Sequence, residues 1–246
     1  MEYTTTKVLK QEKIASDIFV MTVNYKGENP LPGQFFMLKA WENQLPLMRP
    51  ISYFKKESGT ISFMYRVVGK GTLLLSKLKK GAPIEILGPL GNGFPCDQVK
   101  GNIALVGGGV GIPPLYDSAK TLLQMGNQVS VFLGYKDELF ALEDFAEIGC
   151  SLFISCEKGN EGYKGFITDL LHCNLYNAVF TCGPEIMMNK IALMCKENKI
   201  PVWLSMERRM GCGIGACLVC TCETTKGMKR TCNEGPVFNG NDLLIN

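Results

Sequence analysis

The sequence is poor in the groups that carry ordinary acid–base catalysis, with a single histidine, His172, in 246 residues. That residue stands at the end of a predicted helix beside Cys173, where a surface or capping role is expected. Chemistry built on imidazole is therefore not the expectation; cofactors should carry the reaction. Excess charge of one sign is also lacking. The 26 basic and 23 acidic residues leave a net charge of +3, too small to suggest a nucleic-acid partner. No apolar run approaches the length of a membrane span, and the opening Met-Glu-Tyr-Thr-Thr-Thr-Lys has no apolar signal core. Internal repeats, low-complexity runs and long linkers are missing too. Eleven cysteines, an odd number without an export signal, argue against a disulfide framework and for a reducing cytoplasm.

What is present is concentrated at the end of the chain. Four cysteines follow the order Cys212-x4-Cys217-x2-Cys220-x11-Cys232. A C-x4-C-x2-C run with a distant fourth cysteine is the ligand spacing of plant-type 2Fe–2S clusters. Two irons need four thiolates in one small volume, so the backbone must curl around them. Gly211, Gly213 and Gly215 permit that close approach. Zinc is the alternative metal, because Cys217-x2-Cys220 is a zinc-like half site, but Cys232 lacks the tight partner that structural zinc sites carry. Packing is the third reading. Cys222 is expected to be a spare. Cys96, Cys150, Cys156, Cys173, Cys182 and Cys195 are scattered in or beside apolar segments and are read as buried free thiols.

The rest of the chain divides in two. Residues 1–98 hold short apolar or alternating runs between turn residues: Thr5–Gln11, Ile18–Val23, Gln34–Ala40, Ile51–Phe54, Thr60–Val67 and Pro83–Leu87. Such spacing predicts an antiparallel barrel or sandwich, with one helix over Gly71–Leu78. Over 99–205 the pattern alternates. Strands are predicted at Ile103–Val106, Gln128–Leu133, Ser151–Ser155, Ala178–Thr181 and Val202–Ser205, and helices at Leu115–Met125, Leu139–Glu147, Ile167–Leu171 and Ile186–Glu197. That order implies a doubly wound parallel sheet. Residues 206–246 form a third, small lobe.

Four further motifs lie in the first two parts. Arg49-Pro50-Ile51-Ser52 places a planar guanidinium, suited to a phosphate, before a stiffened strand. Tyr65-Arg66-Val67-Val68-Gly69-Lys70-Gly71-Thr72 ends a strand and opens a helix, where free amides favour anions. Gly107-Gly108-Gly109-Val110-Gly111-Ile112-Pro113-Pro114 occupies the phosphate-binding position after the first strand of the sheet, although Pro113 replaces the third glycine of the dinucleotide fingerprint. Thr181-Cys182-Gly183-Pro184-Glu185 follows another strand end and faces the same crevice.

In this order the motifs resemble the ferredoxin–NADP reductase superfamily over essentially the whole chain. The cysteine tail narrows the likeness to the electron-transfer subunits of class 1B dihydroorotate dehydrogenases. The resemblance implies a β-barrel plus α/β architecture: a ferredoxin-reductase-like FAD-binding barrel, a doubly wound parallel-sheet NAD-binding domain and a small C-terminal 2Fe–2S lobe. It implies that Arg49, Pro50, Ile51, Ser52, Arg66, Val67, Val68, Gly71 and Thr72 bind FAD. Gly108, Gly109, Val110, Gly111, Cys182, Gly183 and Pro184 would form the NAD crevice. Cys212, Cys217, Cys220 and Cys232 would hold the cluster, with Glu207 and Met210 bordering the flavin. The implied partner is an FMN-containing dihydroorotate dehydrogenase catalytic subunit, in a heterotetramer of two plus two. Electrons would run from FMN through cluster and FAD to NAD+, in pyrimidine biosynthesis. Leu218 and Val219 are the expected partner-facing residues. Sulfhydrogenase or NADH–ferredoxin:NADP oxidoreductase subunits share the same three-part plan, and a zinc-containing regulatory or binding protein is the non-enzyme alternative. NAD and NADP are not distinguished.

Overall fold

The computed structural model describes residues 1–41, 44–159 and 161–245; residue 246, the end of the expected third lobe, lies outside them. Six strands, β1 (Glu2–Lys13), β2 (Ile18–Asn24), β3 (Phe35–Lys39), β4 (Arg49–Glu57), β5 (Thr60–Arg66) and β6 (Pro83–Leu90), close into an antiparallel barrel of order β1-β2-β5-β4-β3-β6. Its interior is filled by Phe36, Leu38, Tyr53, Phe63 and Tyr65, which alternate with outward residues as a pleated strand requires. Pro50 lies inside β4 where β3 is the only ladder partner, and the pairing of β4 with β5 begins at Tyr53. Helix α1 (Lys70–Ser76) follows β5.

The second unit is a six-stranded sheet. Strands β7 (Asn102–Gly108), β8 (Gln128–Tyr135), β9 (Ser151–Cys156), β10 (Ala178–Cys182) and β11 (Val202–Ser205) are parallel, in the order β11-β10-β7-β8-β9. Both faces are covered, so Ile103–Val106 reads as an unbroken apolar run and is fully buried. Ile103 and Leu105 pack with α2 (Pro113–Gln124) and α3 (Leu142–Glu147) on one face. Ala104 and Val106 pack with α4 (Glu185–Glu197) on the other.

Two predicted helices are shorter than expected. Ala141 adopts a left-handed φ of 62° and delays α3 to Leu142. The Ile167–Leu171 helix is a single 3-10 turn over Ile167–Asp169, and His172 follows it in an exposed position. The third lobe contains the hairpin β12 (Thr221–Thr224) and β13 (Gly227–Arg230). It also supplies β14 (Val237–Asn239), which the sequence pattern does not announce. β14 joins the large sheet antiparallel to β11.

Candidate functional site

The two flavin-type motifs, separated in sequence, meet at one end of the barrel. Arg49 packs its guanidinium over Trp41, 5.3 Å from the ring centroid. It also lies against Gly71 of α1, where an added β-carbon would fall 2.4 Å from Nε and 2.8 Å from Cζ. Glycine at 71 is thus what admits the arginine beside the helix. The Thr72 hydroxyl accepts from the amides of Val68 (3.0 Å) and Gly69 (3.2 Å) and donates to the Gly69 carbonyl (3.1 Å), closing the strand–helix turn. With the amides of Val68 and Gly69 so engaged, those of the first turn of α1 have no intrahelical partner and are left to meet a phosphate. Arg66 pairs with Asp17 at 3.1 Å, and Val68 is exposed. In the β3–β4 ladder Pro50 and Ser52 oppose Met37 and Phe35, whereas Arg49 and Ile51 oppose Leu38 and Phe36. The motif therefore presents two different faces of the barrel wall.

The second cleft opens at the C-terminal ends of β7 and β10, neighbours at the point where the strand order reverses. Open α/β sheets bind nucleotides at that switch point. Here the two loops touch backbone to backbone. A β-carbon on Gly111 would sit 2.4 Å from the Cys182 carbonyl carbon, and one on Gly108 2.7 Å from Pro184 Cδ. Gly183 has φ +148° and lies against Gly108. Pro113 stands at the first turn of α2, which explains a proline where the fingerprint has glycine: it starts the helix instead of packing it. Burial pushes the Cys182 thiol up to about 12, against a hydrogen bond with Ser205 that pulls it down, while the Glu207 carboxylate adds to the rise. Cys182 is a neutral thiol at physiological pH, suited to contact and not to attack.

The cysteine lobe curls as its glycines permit, with φ of +75° at Gly213 and +82° at Gly215. Backbone amides aim at the sulfurs. Cys217 Sγ accepts from Cys212 (3.4 Å), and Cys212 Sγ from Ala216 (3.3 Å) and Cys217 (3.4 Å). Cys232 Sγ accepts from Gly215 (3.1 Å), and Cys220 Sγ from Cys232 (3.4 Å). The four thiols thus form two adjacent pairs, 212 with 217 and 220 with 232, bound to one another through amides. Burial pushes the Cys212 thiol up, but donors at Ile214, Cys217 and Ala216 outweigh it and bring it to about 7. At Cys212 the donors favour the thiolate, the form that ligates iron, whereas burial and the neighbouring Cys220 push the Cys232 thiol up to about 12. Two pairs fit two irons. Cys222 points instead into the α/β core with Leu204, Met206 and Phe238.

The lobe is seated on the barrel. Cys220 and Cys232 share a buried apolar cluster with Phe35, Met37 and Leu90, flanked by Met48, Leu87 and Met210. Asn92 donates its amide hydrogen to Gly235 (2.6 Å), and its side chain donates to the Glu234 carbonyl (2.9 Å). The sequence shows Asn92 only as a turn residue between two glycines, so its clamping role goes unread there. Arg208 was equally unannounced. It grips Glu185, at the first turn of α4, through Nη1 (2.9 Å) and Nη2 (3.3 Å), linking the NAD-type crevice to the segment that enters the cysteine loop. Glu207 lies near Cys182, and Met210 packs against the seat of Cys220 and Cys232.

A family profile described as the iron–sulfur cluster binding domain of dihydroorotate dehydrogenase B matches residues 207–244. The electron transfer subunit of dihydroorotate dehydrogenase B (NAD+) from Clostridium acetobutylicum is 44% identical over 246 residues, covering 100% of this chain and 98% of the relative. Its Clostridium perfringens counterpart is 41% identical, covering 98% and 97%. Among solved structures, an NADH-dependent reduced ferredoxin–NADP oxidoreductase superposes with TM-score 0.88 at 31% identity, covering 98% of this chain and 90% of that one. A cytochrome P450 reductase from Amycolatopsis shares the fold, with TM-score 0.70 at 24% identity, covering 81% and 67%. Barrel, switch-point crevice and cysteine lobe together define a flavin and iron–sulfur oxidoreductase subunit of ferredoxin-reductase type, using FAD, a 2Fe–2S cluster and NAD. Within that class, the chain belongs to the electron transfer subunits of dihydroorotate dehydrogenase B (NAD+).

Proposed function

We propose that this chain carries electrons from an FMN-containing dihydroorotate dehydrogenase catalytic subunit to NAD+, in a heterotetramer of two plus two serving pyrimidine synthesis. The observation that carries the reading is the seat of the cysteine lobe. One side of the lobe packs on Met37, beside the flavin-type strand, while Cys217, Leu218 and Val219 remain exposed on its outer side. When bound, FAD exchanges a hydride with the nicotinamide and single electrons with the cluster, a division of labour that leaves the protein to bind and orient. Cys212 and Cys217 would ligate one iron, Cys220 and Cys232 the other. Arg49 would hold the FAD pyrophosphate, with the amides of Gly71 and Thr72 beside it. Pro50, Ile51 and Ser52 would line the flavin, and Arg66, Val67 and Val68 the remainder of FAD. Gly108, Gly109, Val110, Gly111, Cys182, Gly183 and Pro184 would shape the nicotinamide nucleotide crevice. No described helix is long and apolar enough to cross a membrane. A reducing cytoplasm suits a chain whose eleven cysteines are all free.

Co-expression with the FMN-type dihydroorotate dehydrogenase of the same organism tests the reading. Dihydroorotate-dependent NAD+ reduction should require both chains and be lost in Cys217→Ala. A fully loaded, inactive pair would reassign the partner. The likeness to a reduced ferredoxin–NADP oxidoreductase makes a subunit of that kind of complex the second reading, in which another flavoprotein chain restores activity.

A further inference from the structure

We propose that Met37 is a positioning residue for electron transfer between flavin and cluster, the side chain that sets how deeply the cluster loop sits against the flavin strand. The proposal rests on the electron-transfer reading above and adds the residue that fixes the gap. Met37 is fully buried on the outer face of β3. On one side of it lies Gly213, between the ligands Cys212 and Cys217. A β-carbon there would fall 2.6 Å from Met37 Cγ, 2.9 Å from its Sδ and 3.4 Å from Leu90 Cδ1. On the other side Met37 is the direct ladder partner of Pro50. Directly opposed residues leave the same face with β-carbons about 5 Å apart. One thioether therefore touches the cluster loop and stands beside the flavin motif.

The surroundings leave it little freedom. Phe35, Leu90 and the thiols of Cys220 and Cys232 close around it. A separate clamp prevents the lobe from sliding: Asn92 binds the Gly235 and Glu234 backbone, and Gly91 lies under Pro236, where a β-carbon would fall 2.5 Å from Cδ. The clamp fixes where the lobe docks, and Met37 fixes its depth. A flexible, polarisable side chain suits such an irregular gap.

Gly213→Ala tests the proposal by inserting a methyl group between loop and thioether. The loaded protein is mixed with NADH under anaerobic single-turnover conditions, and flavin and cluster bleaching are followed as separate phases. Iron and FAD per chain are measured, as is the dipolar splitting in the EPR spectrum of the partly reduced protein, which reads the distance between the centres. The variant should keep its flavin phase within about twofold, slow its cluster phase by roughly tenfold and show a smaller splitting, since small misplacements of reacting partners are costly. Gly213→Ala combined with Met37→Ala should recover part of both readouts, because the methyl then occupies vacated space while the cost of a non-glycine residue at φ +75° stays the same in single and double variant. Met37→Phe, which wedges the gap from the barrel side, carries the same expectation as Gly213→Ala should that variant lose its cluster. An unchanged cluster phase and splitting, equal slowing of both phases, or a double variant no better than the single would overturn the proposal. A parent protein whose cluster NADH never reduces would instead overturn the electron-transfer reading itself.

Discussion

At the scale of single residues, Gly71 shows how one missing side chain links two motifs. Alanine normally favours a helix over glycine by up to about 1 kcal/mol. At 71, however, its methyl group would meet the Arg49 guanidinium. Gly71→Ala should therefore leave the melting temperature of the FAD-free protein unchanged or slightly raised, while FAD retained through dialysis falls severalfold. A matching loss of stability and FAD would refute the assignment. This residue also shows what sequence can and cannot deliver. Arg49 and Gly71 are each legible as parts of short motifs, but no spacing rule says that one packs on the other. Trp41 under Arg49, Arg208 on Glu185 and Met37 under Gly213 are invisible for the same reason, since contacts between elements depend on register and lobe placement. The four cysteines proposed as ligands stand out because metal geometry restricts the spacing of such residues within a short segment.

At the scale of elements, the barrel and the α/β unit are joined where β4 meets α2. Phe54 packs on Tyr116 with ring centroids 5.0 Å apart, and the Tyr53 hydroxyl donates to Asp117 at 2.8 Å. Lys55 pairs with Asp144 across the same seam. Burial holds the Asp117 carboxyl above the usual carboxylate range, although the Tyr53 hydroxyl, Lys120 and Lys56 pull it back. The folded state therefore binds the Asp117 proton more tightly than the unfolded chain does. Its contribution to stability is greatest at acid pH and declines as pH rises through the raised value. Asp117→Asn removes that decline, so the melting temperature of the variant relative to the parent should rise as the pH is raised from the usual carboxylate range of about 4. A difference independent of pH would show that burial does not raise the Asp117 carboxyl. Most elements were readable from alternating or apolar runs bounded by turns, and the five parallel strands appear where their apolar runs place them. The exceptions are instructive. α3 starts late because Ala141 turns left-handed, which composition does not reveal. β14 is three residues long and too short to show a period.

At the scale of the whole molecule, the exposed side of the cysteine lobe is the face proposed to meet the partner. Leu218, next to the proposed ligand Cys217, is 60% exposed and has φ of +60°. Few non-glycine residues hold that conformation, and strain at an exposed apolar side chain suggests a use outside the fold. Ile214, Val219 and Met228 are exposed on the same lobe. Leu218→Asp should weaken the complex with the catalytic subunit on size-exclusion chromatography while iron and FAD contents stay unchanged. A complex of undiminished strength would place the partner on another face.

The strand Val237–Asn239 carries a consequence for how such proteins can be rebuilt. It leaves the metal-bearing lobe and returns to cover the edge of β11. The lobe is thus stitched into its host and cannot be treated as a detachable cartridge. A chain cut after Ser205 would expose unpaired backbone groups along Trp203–Ser205, an invitation to self-association. Removing or exchanging the metal module therefore means supplying a replacement hem for the sheet. Recombination among flavin reductases should favour junctions that keep that hem.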